Sequence, residues 1–137
     1  NHIHLIVRAN EGSDELSSII MDFKKYTSKQ IIKFVLEDKK ETRSDWIKVL
    51  FSYHAKYNKK NTRYQVWQQN NRPKILLHPK FISQKINYIH LNPVRNEIVE
   101  KPEDYLYSSA RNYLGYEKVI LDVEVIDFGV TQGYIAL

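Results

Sequence analysis

A chain of 137 residues that is 42% hydrophobic and 27% charged has the length and composition of one globular domain with a core. Its 21 Lys and Arg against 16 Asp and Glu leave a net charge of +5, which leans towards a polyanionic partner. The lack of cysteine excludes disulfides, thiolate zinc sites and cysteine nucleophiles. No apolar run reaches the ~18 residues that cross a bilayer and no signal-peptide pattern is present, so a cytoplasmic protein with no membrane partner is expected.

The chain begins with His2-Ile3-His4, followed by Leu5, Ile6 and Val7, a pattern that predicts a β-strand. Residues i and i+2 share one face of a strand, so His2 and His4 stand side by side while Ile3 turns into the core. Two neutral imidazoles so placed are a partial site for a divalent metal, with further ligands supplied from elsewhere. Two surface histidines near a chain end are the alternative. A strand at residue 2 needs partners, for which residues 119–126 and, less clearly, 64–67 are the candidates. With no initiator methionine, the pattern predicts a domain that starts upstream of this chain.

Residues 10–13 form a turn signal, with Ser13 or Asp14 as helix cap. Leu16, Ile19, Ile20 and Phe23 follow at helical spacing. Thr27-Ser28-Lys29-Gln30 has capping-box spacing, a point where the helix breaks and restarts, and Ile31, Phe34 and Val35 continue the apolar stripe in either case. Lys24, Lys25, Lys29 and Lys33 lie off that stripe, as a solvated face or as a face for phosphates. A second amphipathic helix is predicted over residues 44–54, with Trp46, Ile47, Leu50 and Phe51 buried. The segment 56–64 interleaves Lys56, Lys59, Lys60 and Arg63 with Tyr57 and Tyr64. Such a segment holds phosphates and stacks unpaired bases, or is a plain surface loop.

Pro79 opens a third helix, predicted over 79–92 and ended or bent by Pro93. Residues 101–104 read as a turn and 105–114 as a short helix closed by Gly115. No repeat or linker interrupts the chain, and one domain is expected through residue 127, with a variable tail over 128–137.

On the third helix, Ile82, Ile86 and Ile89 lie within about 60° of one another and make the core stripe. Tyr88 lies off that stripe, with Gln84, Lys85 and Asn92 around it. His90 points elsewhere and reads as a structural histidine. A phenol has a pKa near 10, so at neutral pH it is a poor nucleophile unless its surroundings favour the phenolate. A divalent cation beside it polarises a phosphodiester. Lys85 can favour the phenolate or neutralise phosphate charge, and Asn92, at i+4, can offer a carbonyl oxygen as third ligand. The alternative is a half-buried and inert tyrosine, one of ten.

Taken in order, these motifs resemble the REP-associated branch of the single-tyrosine HUH transposases. The resemblance is carried by Asn1-His2-Ile3-His4-Leu5-Ile6-Val7, by Tyr88-Ile89-His90-Leu91-Asn92-Pro93-Val94-Arg95, and by Val99-Glu100-Lys101-Pro102-Glu103-Asp104-Tyr105 with Ser108-Ser109-Ala110. Phe23-Lys24-Lys25-Tyr26-Thr27-Ser28-Lys29 and Val66-Trp67-Gln68 also look like family segments, and the likeness spans about residues 1–125. It implies an α+β domain with a ferredoxin-like antiparallel sheet and helices on one side, incomplete at its N-terminus. It further implies that His2 and His4, with Asn92, bind Mg²⁺ or Mn²⁺, and that Tyr88 attacks single-stranded DNA to leave a 5′-phosphotyrosine and a free 3′-OH. The implied substrate is an imperfect palindrome folded into a hairpin, bound by a monomer or homodimer. Lys24, Lys25, Lys29, Lys59, Lys60, Arg63, Lys85 and Arg95 are the expected DNA contacts. The competing readings are a catalytically inactive remnant or domesticated protein that binds hairpin DNA, a metal-dependent hydrolase with no covalent step, and a purely structural domain.

Overall fold

The computed structural model describes residues 2–10, 12, 15–37, 41–58 and 63–128. About half of these residues are helical, and none lies in a β-strand. The expected ferredoxin-like sheet is therefore not formed. Its three candidate strands are irregular segments, because an extended backbone becomes a strand only when a neighbouring chain takes up its N–H and C=O groups. Side chains and helix carbonyls take up several of those groups here. Asn112 Nδ2 donates to the Leu121 carbonyl at 2.9 Å and Ile126 N donates to the Tyr113 hydroxyl at 3.3 Å. Gln65 N donates to the Phe51 carbonyl at 3.0 Å. Residues 2–7 have no strand beside them among the described residues, and Ile3, expected in the core, is 54% exposed.

The chain divides into two units, one of Val7–Pro73 and one of the residues on either side of it. The first holds 14 Lys and Arg against 8 Asp and Glu, whereas the rest of the chain holds 7 against 8. The net positive charge of the protein thus resides in Val7–Pro73.

In that unit, α1 runs over Leu16–Glu37 and α2 over Ser44–Lys56. The caps expected at Ser13 and Asp14 lie outside the described residues. No break occurs at Thr27. Its hydroxyl, which a restart would need as a cap, donates back to the Phe23 carbonyl at 2.7 Å and accepts the Trp67 indole N–H at 2.9 Å. Trp67 also packs on Phe23, with 6.0 Å between ring centroids, and Lys24 Nζ donates to the Gln68 carbonyl at 2.7 Å. The segment after α2 is thereby tied to α1 by Trp67 and Gln68, and to α2 by Gln65. On α2 the expected inner face is only partly realised. Ala55 is buried and Ile47, Leu50 and Phe51 are half-buried, but Trp46 is 63% exposed.

In the second unit, α3 spans Pro79–Arg95, followed by a 3₁₀ turn at Pro102–Asp104 and the one-turn α4 at Ala110–Tyr113. His78 caps α3, its Nδ1 accepting from Lys80 N at 3.2 Å, and Pro79 occupies the first turn, where its missing N–H costs nothing. The helix passes Pro93 and ends at Arg95 rather than Asn92. Pro93 lacks the N–H for one intrahelical bond, and the helix continues only two residues beyond it. The helix expected over 105–114 is reduced to four residues, since the Ser108 hydroxyl takes the Ala110 N–H at 3.1 Å and favours a turn there. Ile86, His90 and Pro93 of α3 and Ala110 of α4 form the buried centre of this unit, and Arg111 Nε bonds the Glu103 carbonyl at 2.7 Å.

Both helices close alike. After α4, Gly115 adopts φ 73°, Gly115 N bonds the Asn112 carbonyl at 3.2 Å and Tyr116 N bonds the Arg111 carbonyl at 3.0 Å. After α3, Glu97 adopts φ 56° and donates to the Val94 carbonyl, while Ile98 N donates to Pro93, both at 2.9 Å. This is the left-handed cap that glycine fills without steric cost and that a side chain fills at ~1 kcal/mol. Glu97→Gly is expected to raise stability by up to about 1 kcal/mol, read as an increase in the urea midpoint at unchanged m-value.

Candidate active site around Tyr88

The functional candidates of the second unit converge at one place. The His2 and His4 rings meet edge to face, 4.7 Å between centroids, with their Nε2 atoms 3.0 Å apart. The His4 ring meets the Tyr88 ring in the same manner at 5.5 Å. Lys85 Nζ lies 5.7 Å from the Tyr88 ring centroid and Arg95 Cζ lies 5.8 Å from it. Helix periodicity explains the last two: positions three before and seven after Tyr88 fall on its own face of α3. The phenol is 40% exposed, so it is open to a ligand and flanked by two cations.

The His4 imidazole is biased towards its neutral form. Partial burial, followed by the nearby His2 and Lys85, pushes the His4 pKa below 6.5. A hydrogen bond between two imidazole nitrogens requires one N–H and one lone pair, so the 3.0 Å contact is not made by two imidazolium ions. The same spacing suits a divalent ion. Two nitrogens held at right angles, each about 2.1 Å from one ion, are themselves about 3.0 Å apart. The donor set thus fits a divalent metal at two coordination positions. The remaining positions fall to water or phosphate oxygens, since no cluster of three or more His, Asp or Glu is found among the described residues. Asn92 Oδ1, the expected third ligand, lies 3.4 Å from Asn96 Nδ2, which donates to the Asn92 backbone carbonyl at 2.8 Å.

His90 behaves as expected for a structural histidine. It is 1% exposed, its Nε2 lies 2.9 Å from Ser109 Oγ, and its ring packs against Tyr113 at 5.1 Å between centroids. It fastens α3, and with it the Tyr88 face, to the start of α4.

The other expected DNA contacts lie in the first unit. Lys25 and Lys29 are exposed on α1, Lys24 is bonded to Gln68, and the Arg63 guanidinium lies 5.2 Å from the Tyr64 ring centroid. Lys59 and Lys60 lie outside the described residues. The pairing of Arg95 with Tyr88 is a feature the sequence carries in its i+7 spacing, although Arg95 was expected only as a DNA contact. No helix among the described residues is long and apolar enough to cross a membrane. In comparisons with known proteins, no family model, no curated protein and no solved structure matches the chain.

Proposed function

We propose that the chain is a metal-dependent transposase or nickase of single-stranded hairpin DNA, of the REP-associated tyrosine kind, acting in the cytoplasm. The observation that supports it most is the convergence of His2, His4 and Tyr88, which are far apart in sequence, with Lys85 and Arg95 on the same face as the phenol. In this reading the Tyr88 oxygen attacks a backbone phosphorus, and the phosphorus–O3′ bond breaks. The phenol proton is lost and the departing 3′ oxygen ends as a hydroxyl. Lys85 and Arg95 hold the phosphate against the phenol and offset its charge, and His2 and His4 hold Mg²⁺ or Mn²⁺. A bound divalent ion supplies Lewis acidity at the phosphodiester. The protein–DNA bond conserves the energy of the broken one, so a free 3′-OH can reverse the attack.

The test is incubation of the chain with Mn²⁺ and labelled DNA hairpins, followed by denaturing electrophoresis. A slowly migrating protein–DNA band is expected with wild type and none with His2→Ala/His4→Ala, which should also lose Mn²⁺ binding by calorimetry. A second reading, a protein that grips hairpin DNA without cutting, is favoured by one observation. No sheet among the described residues holds His2 and His4 in register. It predicts hairpin binding with no band at all.

A further inference from the structure

The proposed chemistry explains the face of α3 around Tyr88, but not the outer face of α2. At 100° per residue, Trp46, Tyr53 and Tyr57 fall within about 40° of one another, along about 16 Å of helix. They are 63%, 52% and 75% exposed. Tyr53 and Tyr57 pack edge to face, with 5.2 Å between centroids, which fixes both rings relative to the helix. Trp67 shows how this unit treats an aromatic ring it uses for packing: its indole is hydrogen-bonded to Thr27 and laid on Phe23. The α2 rings are left in solvent instead.

The charge around the stripe selects its occupant. The acidic groups at the start of α2 are already matched, Glu41 by Arg43 and Asp45 by Lys48, each pair at 3.0 Å. Lys56 is exposed beside Tyr57, and Arg63 follows shortly after the helix. All of this sits in the unit that carries the excess of Lys and Arg. A row of exposed rings in a basic field suits a strand whose bases are unpaired and whose backbone is anionic: the rings stack with bases of any identity and the cations track the phosphates. We infer that the Trp46–Tyr53–Tyr57 face of α2 is a stacking platform for single-stranded DNA, separate from the Tyr88 site and independent of base sequence. The inference rests on the proposed function for its choice of DNA as partner.

Fluorescence anisotropy with a labelled oligothymidylate, which forms no hairpin, tests it directly on the whole chain. Trp46→Ser/Tyr53→Ser/Tyr57→Ser is expected to weaken binding at least about tenfold, and Trp46→Phe/Tyr53→Phe/Tyr57→Phe to stay within about threefold of wild type. The slope of log Kd against log salt should be the same for all three, because the phosphate contacts remain. Should the triple serine variant lose helicity by circular dichroism, Trp46→Ser alone, at the most isolated ring of the three, is expected to weaken binding about threefold or more. Wild-type affinity in the folded serine variants would overturn the platform, and so would failure of the wild type to bind the oligonucleotide. Loss of a self-association by sedimentation, with DNA binding unchanged, would overturn it in favour of an interface between copies. The covalent band separates the two proposals. An oligonucleotide bound through the stripe with no band from any hairpin sustains the platform and sinks the Tyr88 chemistry, whereas a band from a serine variant of unchanged affinity does the reverse.

Discussion

Tyr88→Phe is expected to abolish the covalent protein–DNA band while leaving hairpin affinity within about twofold of wild type, because the substitution removes one oxygen and little else. The ring that meets His4 at 5.5 Å and lies near Lys85 and Arg95 is retained, so its electrostatic and packing contacts persist. The phenol is 40% exposed, and replacing its hydroxyl costs little folding energy. Complete loss of product with retained binding is what a missing nucleophile gives, whereas an unfolded chain loses both and a weakened charge contact leaves residual product. Retention of cleavage in Tyr88→Phe would instead identify a hydrolase in which the imidazoles act without a covalent step. Lys85→Gln and Arg95→Gln belong to the same experiment. Each is expected to slow band formation without abolishing it, since both are placed to offset phosphate charge and neither supplies the attacking atom.

The second large effect concerns His90 and folding. Burial pushes its pKa down to about 4 from the 6.5 of a free imidazole. Below pH 6.5 the unfolded chain therefore binds a proton that the folded chain refuses until about pH 4. The stability that neutral His90 contributes is fully present above pH 6.5 and drains away as the pH falls towards 4, by about 3 kcal/mol in all. Against a total of about 5–15 kcal/mol for an ordinary domain, that is enough to unfold a marginal one. Urea midpoints measured from pH 7 to pH 4 should fall steeply for wild type and much less for His90→Gln, which keeps a hydrogen-bonding side chain and cannot titrate. His90→Ala, which also opens a cavity and strands Ser109, is expected to cost about 2–4 kcal/mol at pH 7. Equal pH slopes in wild type and His90→Gln would remove His90 as the source of acid sensitivity.

The sequence was most legible where one local rule decides the outcome. Pro79 at a helix start, Gly115 at a helix end, and the separation of Tyr88 from the Ile82–Ile86–Ile89 stripe are all set within a turn or two of chain, and they appear as expected. His90, read as structural from its angle on the helix, is the most completely buried large side chain of the described chain. Legibility failed where a distant group competes for a local signal. The Thr27 hydroxyl has a capping signature, but Trp67, far along the chain, claims it, so α1 continues. Residues 119–126 alternate like a strand, yet Asn112 and Tyr113 engage their backbone. Trp46 fits the apolar pattern of α2 and still faces solvent, because hydrophobic periodicity identifies a face without saying whether protein or ligand covers it. The His2–His4 pairing survives without the sheet that was to produce it: two residues apart in any extended chain are close enough for their rings to meet.

The uneven distribution of charge has a kinetic consequence. On the proposed function, a polyanion diffusing towards this chain would be drawn first to Val7–Pro73, where the positive charge resides, whereas Tyr88 and its neighbours belong to a part of the chain with almost none. Capture and reaction would then be successive events. Added salt would slow the first event far more than the second, and the rate of encounter and the rate of bond-breaking could be tuned on different residues.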